Sequence, residues 1–429
     1  MVVVVNCRSI ARETKRESAK ALSFRGMASS ARRALSNVGG RIQVDLGNEW
    51  DRKLLNFALD VRADDRAVRG HVHGFHAYPA RLHPVTAQRL IKGLTRPGDG
   101  VLDPFCGSGT VLVEALLEGR IPAGLDANPL AVMLASFKLR KSSAHDRELL
   151  LGSARVVAEA AEARRMARLG PSRRYPGEQA RQFDPHVLLE LDGLRQGIDK
   201  IDAPRTKEGL SLVLSSIANK VSRQASDTTS RESQRRWASG FVIQFFVRKT
   251  EELTKRQAQY ASRLGEGETA RACVKHGDAQ QLPFESDSFR AIVTSPPYPG
   301  VYDYVEHHRL RLQWLGLNTE YLWKHEIGAR RHAGAAQSLR ETFNAQLQRC
   351  LSEMARVVVR GGTVALIVAD SVVDGSAWYA DAEIEPLAGR AGLTLAAAAA
   401  QTRPHFHGST AKAFGRRPRS ERVLFLRRK

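Results

Sequence analysis

The sequence predicts an α/β fold: a doubly wound, mostly parallel sheet interrupted by a helical insertion. Three observations predict it. Residues 100–140 read strand, glycine loop, helix, strand, helix, which is the alternation of a parallel sheet. Residues 141–269 then read as helices alone. Strand text resumes at 272 and runs to the chain end.

The elements follow in order. Before them, 1–42 is rich in Arg, Ser and Ala and poor in acid, so a disordered basic arm is expected, with Met27 an alternative start. Residues 43–70 are weakly patterned. From His71 the text becomes dense through Pro84, and a helix follows, with Val85, Leu90, Ile91 and Leu94 apolar, to Pro97-Gly98. Next come strand 100–103, the loop Asp103-Pro104-Phe105-Cys106-Gly107-Ser108-Gly109-Thr110, helix 110–118, strand 121–126 and helix 129–140. The first part of the sheet domain is therefore 43–140.

The insertion, 141–269, has helical patterns at 145–169, 185–201 (after Asp184 as N-cap), 209–221 and 233–264. The second part of the domain, 270–429, has strands at 272–275, 290–294 and 363–369, a helix at 339–357, a helical stretch at 384–392, and late strands at 393–401 and 422–426. The last two suggest an antiparallel hairpin at a sheet edge.

Composition bounds the function. The net charge of +21 suits a polyanionic partner, because phosphate contacts release counterions. Cys7, Cys106, Cys273 and Cys350 form no C-x-x-C pair, which argues against a zinc ribbon or a disulfide framework and fits a reducing cytoplasm. No apolar run reaches the ~18–20 residues that span a bilayer. The histidines His71, His73, His76 and His83 are read as structural, with no metal expected.

Two loops carry the chemistry. In the first, Gly107 and Gly109 permit positive φ and close backbone approach. The helix from Thr110 presents free N–H groups and a positive dipole end. Asp126 ends the next strand, where a carboxylate can bond ribose hydroxyls. The dinucleotide fingerprint fails because Leu112 occupies its third glycine position, and no Gly-Lys-Ser/Thr follows for a P-loop. Phe105 and Cys106 suit a sulfonium-bearing amino acid better than a pyrophosphate.

The second loop is Ser295-Pro296-Pro297-Tyr298, directly after an apolar strand. The two prolines fix φ and remove two N–H donors, leaving the Ser295 hydroxyl and nearby carbonyls as acceptors. That array can grip both hydrogens of an amine and aim its lone pair. Tyr298 offers a face for a flipped base. Asp278, at the end of the preceding strand, is expected beside the cofactor adenine. Together the loops point to methyl transfer from S-adenosyl-L-methionine onto a nucleic-acid base.

These motifs resemble the DNA amino-methyltransferases, which modify cytosine N4 or adenine N6. Asp103–Thr110 looks like their cofactor motif, Asp126 falls at their ribose-binding acid with Asn128 beside it, and Ser295–Tyr298 looks like their catalytic motif in its cytosine-N4 form. His76–Arg81, with Tyr78, is similar to the segment that holds the methionine end. The resemblance implies a class I Rossmann-like methyltransferase acting on DNA. An RNA base N-methyltransferase, an adenine-N6 enzyme and an inactive nucleic-acid-binding protein on this fold stay open. Arg223, Arg231, Arg235 and Arg236 are expected at phosphates, and Tyr302, Asp303 and Tyr304 at the base pocket, with a helix N-cap the other reading of Asp303.

Overall fold

The computed structural model describes residues 40–61, 66–226, 229–232, 235–265, 271–329, 331, 338–403, 408–415 and 417–429. The basic arm through residue 39 lies outside them.

The strands are β1 (Ile42–Leu46), β2 (Gly100–Asp103), β3 (Ile121–Asp126), β4 (Gln224–Ser226), β5 (Thr229–Glu232), β6 (Cys273–His276), β7 (Phe289–Thr294), β8 (Val358–Ala369), β9 (Ser371–Val373), β10 (Ser376–Trp378), β11 (Leu393–Thr402) and β12 (Ser420–Arg428). Eight of them form one sheet in the order β1-β11-β12-β8-β7-β2-β3-β6. The run β8-β7-β2-β3-β6 is parallel. β12 enters antiparallel beside β8, β11 beside β12, and β1 beside β11. The late strands do pair as expected, yet they are not the edge. β1 closes it, through pairs such as Val44 with Ala399.

The main helices are α1 (Glu49–Leu59), α2 (Pro84–Leu94), α3 (Thr110–Leu117), α4 (Pro129–Leu139), α5 (Ala144–Met166), α6 (Pro185–Asp199), α7 (Pro204–Val221), α8 (Phe241–Ala261), α9 (Tyr304–Leu315), α10 (Glu320–His325), α11 (Leu339–Val357) and α12 (Ala380–Arg390). β7 is apolar almost throughout because both its faces are covered, as parallel strands require. One face packs on α1, α2 and α3 through Leu55, Leu90, Ile91 and Val111. The other packs on α11 and α12 through Leu347, Leu351, Met354 and Ile384.

Among the described residues, the insertion is built of helices and their connections plus the small antiparallel pair β4–β5. Ser143 and Asp146 start α5 with reciprocal capping bonds. Gly240 has no side chain to cap α8, so the buried Glu190 carboxylate does it, accepting the N–H of Gly240 at 2.6 Å and of Val242 at 3.0 Å. Truncating that carboxylate costs about 1–3 kcal/mol, because two buried donors lose their partner. The four helices share one apolar core with α4 and α9: Leu134, Leu150, Leu194, Ile217, Phe246, Leu312 and Trp314 belong to it. The insertion is thus fused to the helix that follows the Ser-Pro-Pro-Tyr loop. Trp237, Phe241 and Phe245 stack in series at 4.6 and 5.5 Å as part of this packing.

Chain order reverses direction in the sheet between β2 and β7. From β2 the chain winds outward to β3 and β6, then returns to β7 and proceeds to β8. Ligands bind at the carboxyl ends of strands at such a switch point.

Candidate active site

Both chemical loops leave the sheet at that point. β2 ends in Asp103, and β7 ends in Thr294. The Thr294 hydroxyl donates to Asp103 Oδ1 at 2.6 Å, and both residues are buried. The same carboxylate oxygen accepts the Phe105 N–H at 3.2 Å. The roots of the two loops are therefore bonded to each other, 191 residues apart in sequence. Burial pushes the Asp103 carboxyl up to about 7, against the pull of the Thr294 bond.

The glycine loop turns with Gly107 at φ 49° and Gly109 at φ 82°. A Cβ on Gly109 would stand 3.0 Å from that of Ala135, so α3 and α4 approach there as only glycine allows. Asp126 accepts the Gly107 N–H at 2.8 Å and the Asn128 N–H at 2.8 Å. Burial raises its carboxyl to about 6, and those two N–H bonds oppose the rise. Asn128 caps α4 by accepting the Leu130 N–H at 3.0 Å, and its amide donates to the Tyr78 hydroxyl at 3.3 Å. Lys138 is buried and donates to the Ser108 carbonyl at 2.8 Å, which holds the loop from behind. Burial, then Arg81, drives its ammonium well below the usual lysine range.

One cleft of about 650 Å³, open to solvent, joins these parts. Tyr78, Pro104, Phe105, Gly107, Asp126 and Asn128 line it together with Asp278, Ser295 and Pro297. Asp103, Cys106, Gly109 and Thr110 lie behind this lining, buried, and shape it. Pro296 and Tyr298 are also set back from it. The Tyr298 hydroxyl lies 3.1 Å from the Ser295 hydroxyl, and burial holds the phenol well above its usual range, hence neutral.

Of the remaining lining residues the sequence points to Tyr304 alone. Tyr304, Leu322, His325, Glu326 and Ile327 line the cleft from α9 and α10. Glu326 accepts the Tyr304 N–H at 2.6 Å, and Arg331 pairs with both Glu326 and Asp303. Asp303 itself caps α9 by accepting the Glu306 N–H at 3.2 Å. Tyr302 sits against Tyr304, ring centroids 5.5 Å apart, and neither Tyr302 nor Asp303 lines the cleft. Of the arginines expected at phosphates, Arg223 pairs with Asp184 at 2.9 Å. Arg235 and Arg236 are exposed before α8, and Arg231 lies on β5.

His71, His73 and Glu114 converge behind the loop, with His73 Nε2 2.7 Å from Glu114. Arg81, Lys138, Arg256 and Arg263 surround the histidines. That positive field opposes a divalent cation. The group acts as a buried link between the 71–83 segment and α3.

Residues 40–136 match a family model described as a DNA methylase, the N6_N4_Mtase family. Over these residues the chain resembles the DNA amino-methyltransferases. Type II methyltransferase M.MjaII of Methanocaldococcus jannaschii is 34% identical over 112 residues, covering 25% of this chain and 21% of the relative. Type II methyltransferase M.MvaI of Kocuria varians is 27% identical over 277 residues, 58% of each chain. A tRNA (guanine(10)-N2)-dimethyltransferase of Methanothermobacter thermautotrophicus is 33% identical over 97 residues, 20% of this chain and 29% of the relative. Each match spans less than two thirds of the relative's length. The sheet has the strand order of the class I Rossmann-like fold, and the matched segment implies S-adenosyl-L-methionine as cofactor. The cleft fits that group. Carboxylates stand at the ends of β3 and β6, Phe105, Leu125, Ala279, Leu322 and Ile327 supply apolar wall, and a Cβ on Gly107 would press the Tyr78 ring at 3.3 Å.

Proposed function

We propose that this chain methylates an exocyclic amine of a base in DNA, cytosine N4 before adenine N6. The observation that carries the reading is the Thr294–Asp103 bond. It ties the Ser-Pro-Pro-Tyr loop to the glycine loop, so that Ser295 and Gly107 line one cleft.

The cofactor supplies an electrophilic methyl group when bound. The residues proposed to hold it are Tyr78, Phe105, Gly107, Asp126 and Asn128, with Asp278 at the adenine end. Asp103, Pro104, Cys106, Gly109 and Thr110 keep the loop in shape.

Ser295 is the proposed acceptor for the target amine. If its hydroxyl donates to the Tyr298 oxygen, both Ser295 lone pairs are free to accept amine hydrogens. Pro296 and Pro297 contribute no competing N–H donor. Gripping the amine this way withdraws its lone pair from the ring and directs it at the methyl group. Tyr298 thus orients Ser295, and Tyr304 is the proposed stacking ring for the target base. A carbon-5 mechanism needs a thiolate, and Cys106, on the neighbouring loop, is buried with its thiol pushed well above the usual range. Tyr302 and the insertion arginines Arg223, Arg235 and Arg236 are proposed outside the cleft, towards the nucleic-acid backbone.

An RNA base is the second reading, favoured by the tRNA guanine methyltransferase among the relatives. Incubation with methyl-labelled cofactor and either genomic DNA or total RNA, followed by nucleoside mass spectrometry, separates them. N4-methylcytosine in DNA is expected. Label confined to RNA overturns the DNA reading, and N6-methyladenine overturns the choice of base.

A further inference from the structure

We propose that Arg331 is a positioning residue for methyl transfer: it bridges Glu326 and Asp303, and through them fixes Tyr304, the proposed stacking ring for the target base. The inference rests on the reading of the Ser-Pro-Pro-Tyr loop above and deepens it.

The chain just past that loop is laced at three points to the segment that follows α10. The Gly300 N–H donates to the Gly328 carbonyl at 3.0 Å. The Tyr304 N–H donates to Glu326 Oε1 at 2.6 Å. Arg331 Nη1 donates to Asp303 Oδ1 at 3.1 Å and to Glu326 Oε2 at 2.5 Å. Gly328 sits at φ 66°, and a Cβ there would stand 3.3 Å from the Pro299 Cα and 2.7 Å from the Phe343 ring. The two segments therefore meet as only glycine allows.

Asp303 is the cap of α9 and Tyr304 its first residue, so two carboxylates, Asp303 and Glu326, gather at one helix N-terminus. The helix end favours both, but they repel each other, and Glu326 is buried. Arg331 supplies the opposite charge. Its guanidinium is held in turn by the Trp323 carbonyl at 2.8 Å and lies 4.4 Å from the centre of the Trp323 ring. Without Arg331 the Glu326 carboxyl, already raised by burial, is driven further toward its neutral form, which loosens its hold on the Tyr304 N–H. Tyr304 lines the cleft, its ring stacked on His308 at 6.1 Å, whereas Arg331 does not line it. Arg331 therefore acts on the transfer through the two carboxylates, not by touching base or cofactor.

The test follows methyl transfer in a single turnover of the full chain, from labelled S-adenosyl-L-methionine to genomic DNA, or to total RNA if the label goes there. Binding of S-adenosyl-L-homocysteine is measured alongside by calorimetry, and folding by thermal melting. Arg331→Met keeps an unbranched side chain without the charge. It is expected to slow transfer about tenfold or more, as a small displacement near the reacting groups does, with cofactor affinity within about threefold of the wild type. Arg331→Lys should recover most of the rate, because a single nitrogen, Nη1, meets both carboxylates. Asp303→Asn keeps the cap on α9 and weakens the bridge, so it should slow transfer about threefold or more. It carries the test if Arg331→Met fails to fold, and a wild-type rate there overturns the proposal. So does a folded Arg331→Met at the wild-type rate, an Arg331→Lys as slow as Arg331→Met, or a slowing matched by an equal loss of cofactor affinity. A wild type that labels no nucleic acid overturns the base-methylation reading itself, and this role with it.

Discussion

Replacing Thr294 with valine tests the joint between the two loops. Valine matches threonine in shape, so the change removes a hydroxyl and leaves no cavity. Asp103 Oδ1 then keeps only the longer bond from the Phe105 N–H, at 3.2 Å. The magnitude depends on the charge of Asp103. Its carboxyl sits at about 7, raised by burial and drawn back by Thr294. Below that pH the carboxyl is protonated in the folded chain, and the lost bond is a neutral one, worth about 1 kcal/mol. Above it the carboxylate loses a charge-assisted bond worth about 2–3 kcal/mol. The variant's carboxyl must also shift further up, since the group that stabilised its charge is gone. Urea denaturation at pH 6 and at pH 8.5 should therefore show a loss near 1 kcal/mol at the lower pH and about twice that at the higher. A loss below about 0.5 kcal/mol at both values, or one that is larger at pH 6, refutes the reasoning. Methyl transfer should fall as well, because a shift of about 1 Å between reacting groups costs on the order of 100-fold.

Other substitutions probe single contacts. Ser295→Ala should lower kcat about 100-fold or more while cofactor affinity stays within about threefold, and Tyr298→Phe should lower it about tenfold, read in single-turnover assays at saturating cofactor. Asp126→Asn should weaken S-adenosyl-L-homocysteine by about 10- to 100-fold in calorimetry, the worth of a charge-assisted bond. His308 is buried between Tyr78 and Tyr304, neither ring nitrogen has a hydrogen-bond partner, and burial holds it well below its usual 6.5. The unfolded chain gains a proton there below pH 6.5 that the folded chain refuses, so stability drains as pH falls. His308→Phe keeps the stack and removes that drain. It should exceed the wild type in stability by an amount growing about 1.4 kcal/mol per pH unit below 6.5, measured by denaturation between pH 5 and 7.

Both loops were legible in the sequence because their chemistry is local. Asp103, Gly107 and Gly109 act within the eight residues 103–110, and Ser295, the two prolines and Tyr298 within the four residues 295–298. The bond that joins the loops was not legible, since nothing near Thr294 names Asp103. β1 escaped for a related reason. Its Ile-Gln-Val-Asp-Leu alternation is a strand pattern, but five residues carry little signal, and its partner Ala399 lies 355 positions away. The part of the wall at α10 also went unread. His325 and Glu326 resemble any solvated helix end until the fold sets them on Asp278 and on the Tyr304 N–H. Asp303 shows the opposite case, a residue with two local readings, and its bond to the Glu306 N–H selects the helix cap over the pocket. The central stretch of β8 was readable as a strand, yet its start at Val358 was hidden behind Gly361-Gly362, where a register shift lets the strand continue.

The most direct test is a crystal structure of the chain with S-adenosyl-L-homocysteine. The ligand is expected with its ribose on Asp126, its adenine beside Asp278 and its sulfur facing Ser295, leaving room for a methyl group about 3–3.5 Å from an amine held there. A ligand bound away from Asp126, or one whose sulfur faces away from Ser295, contradicts the account.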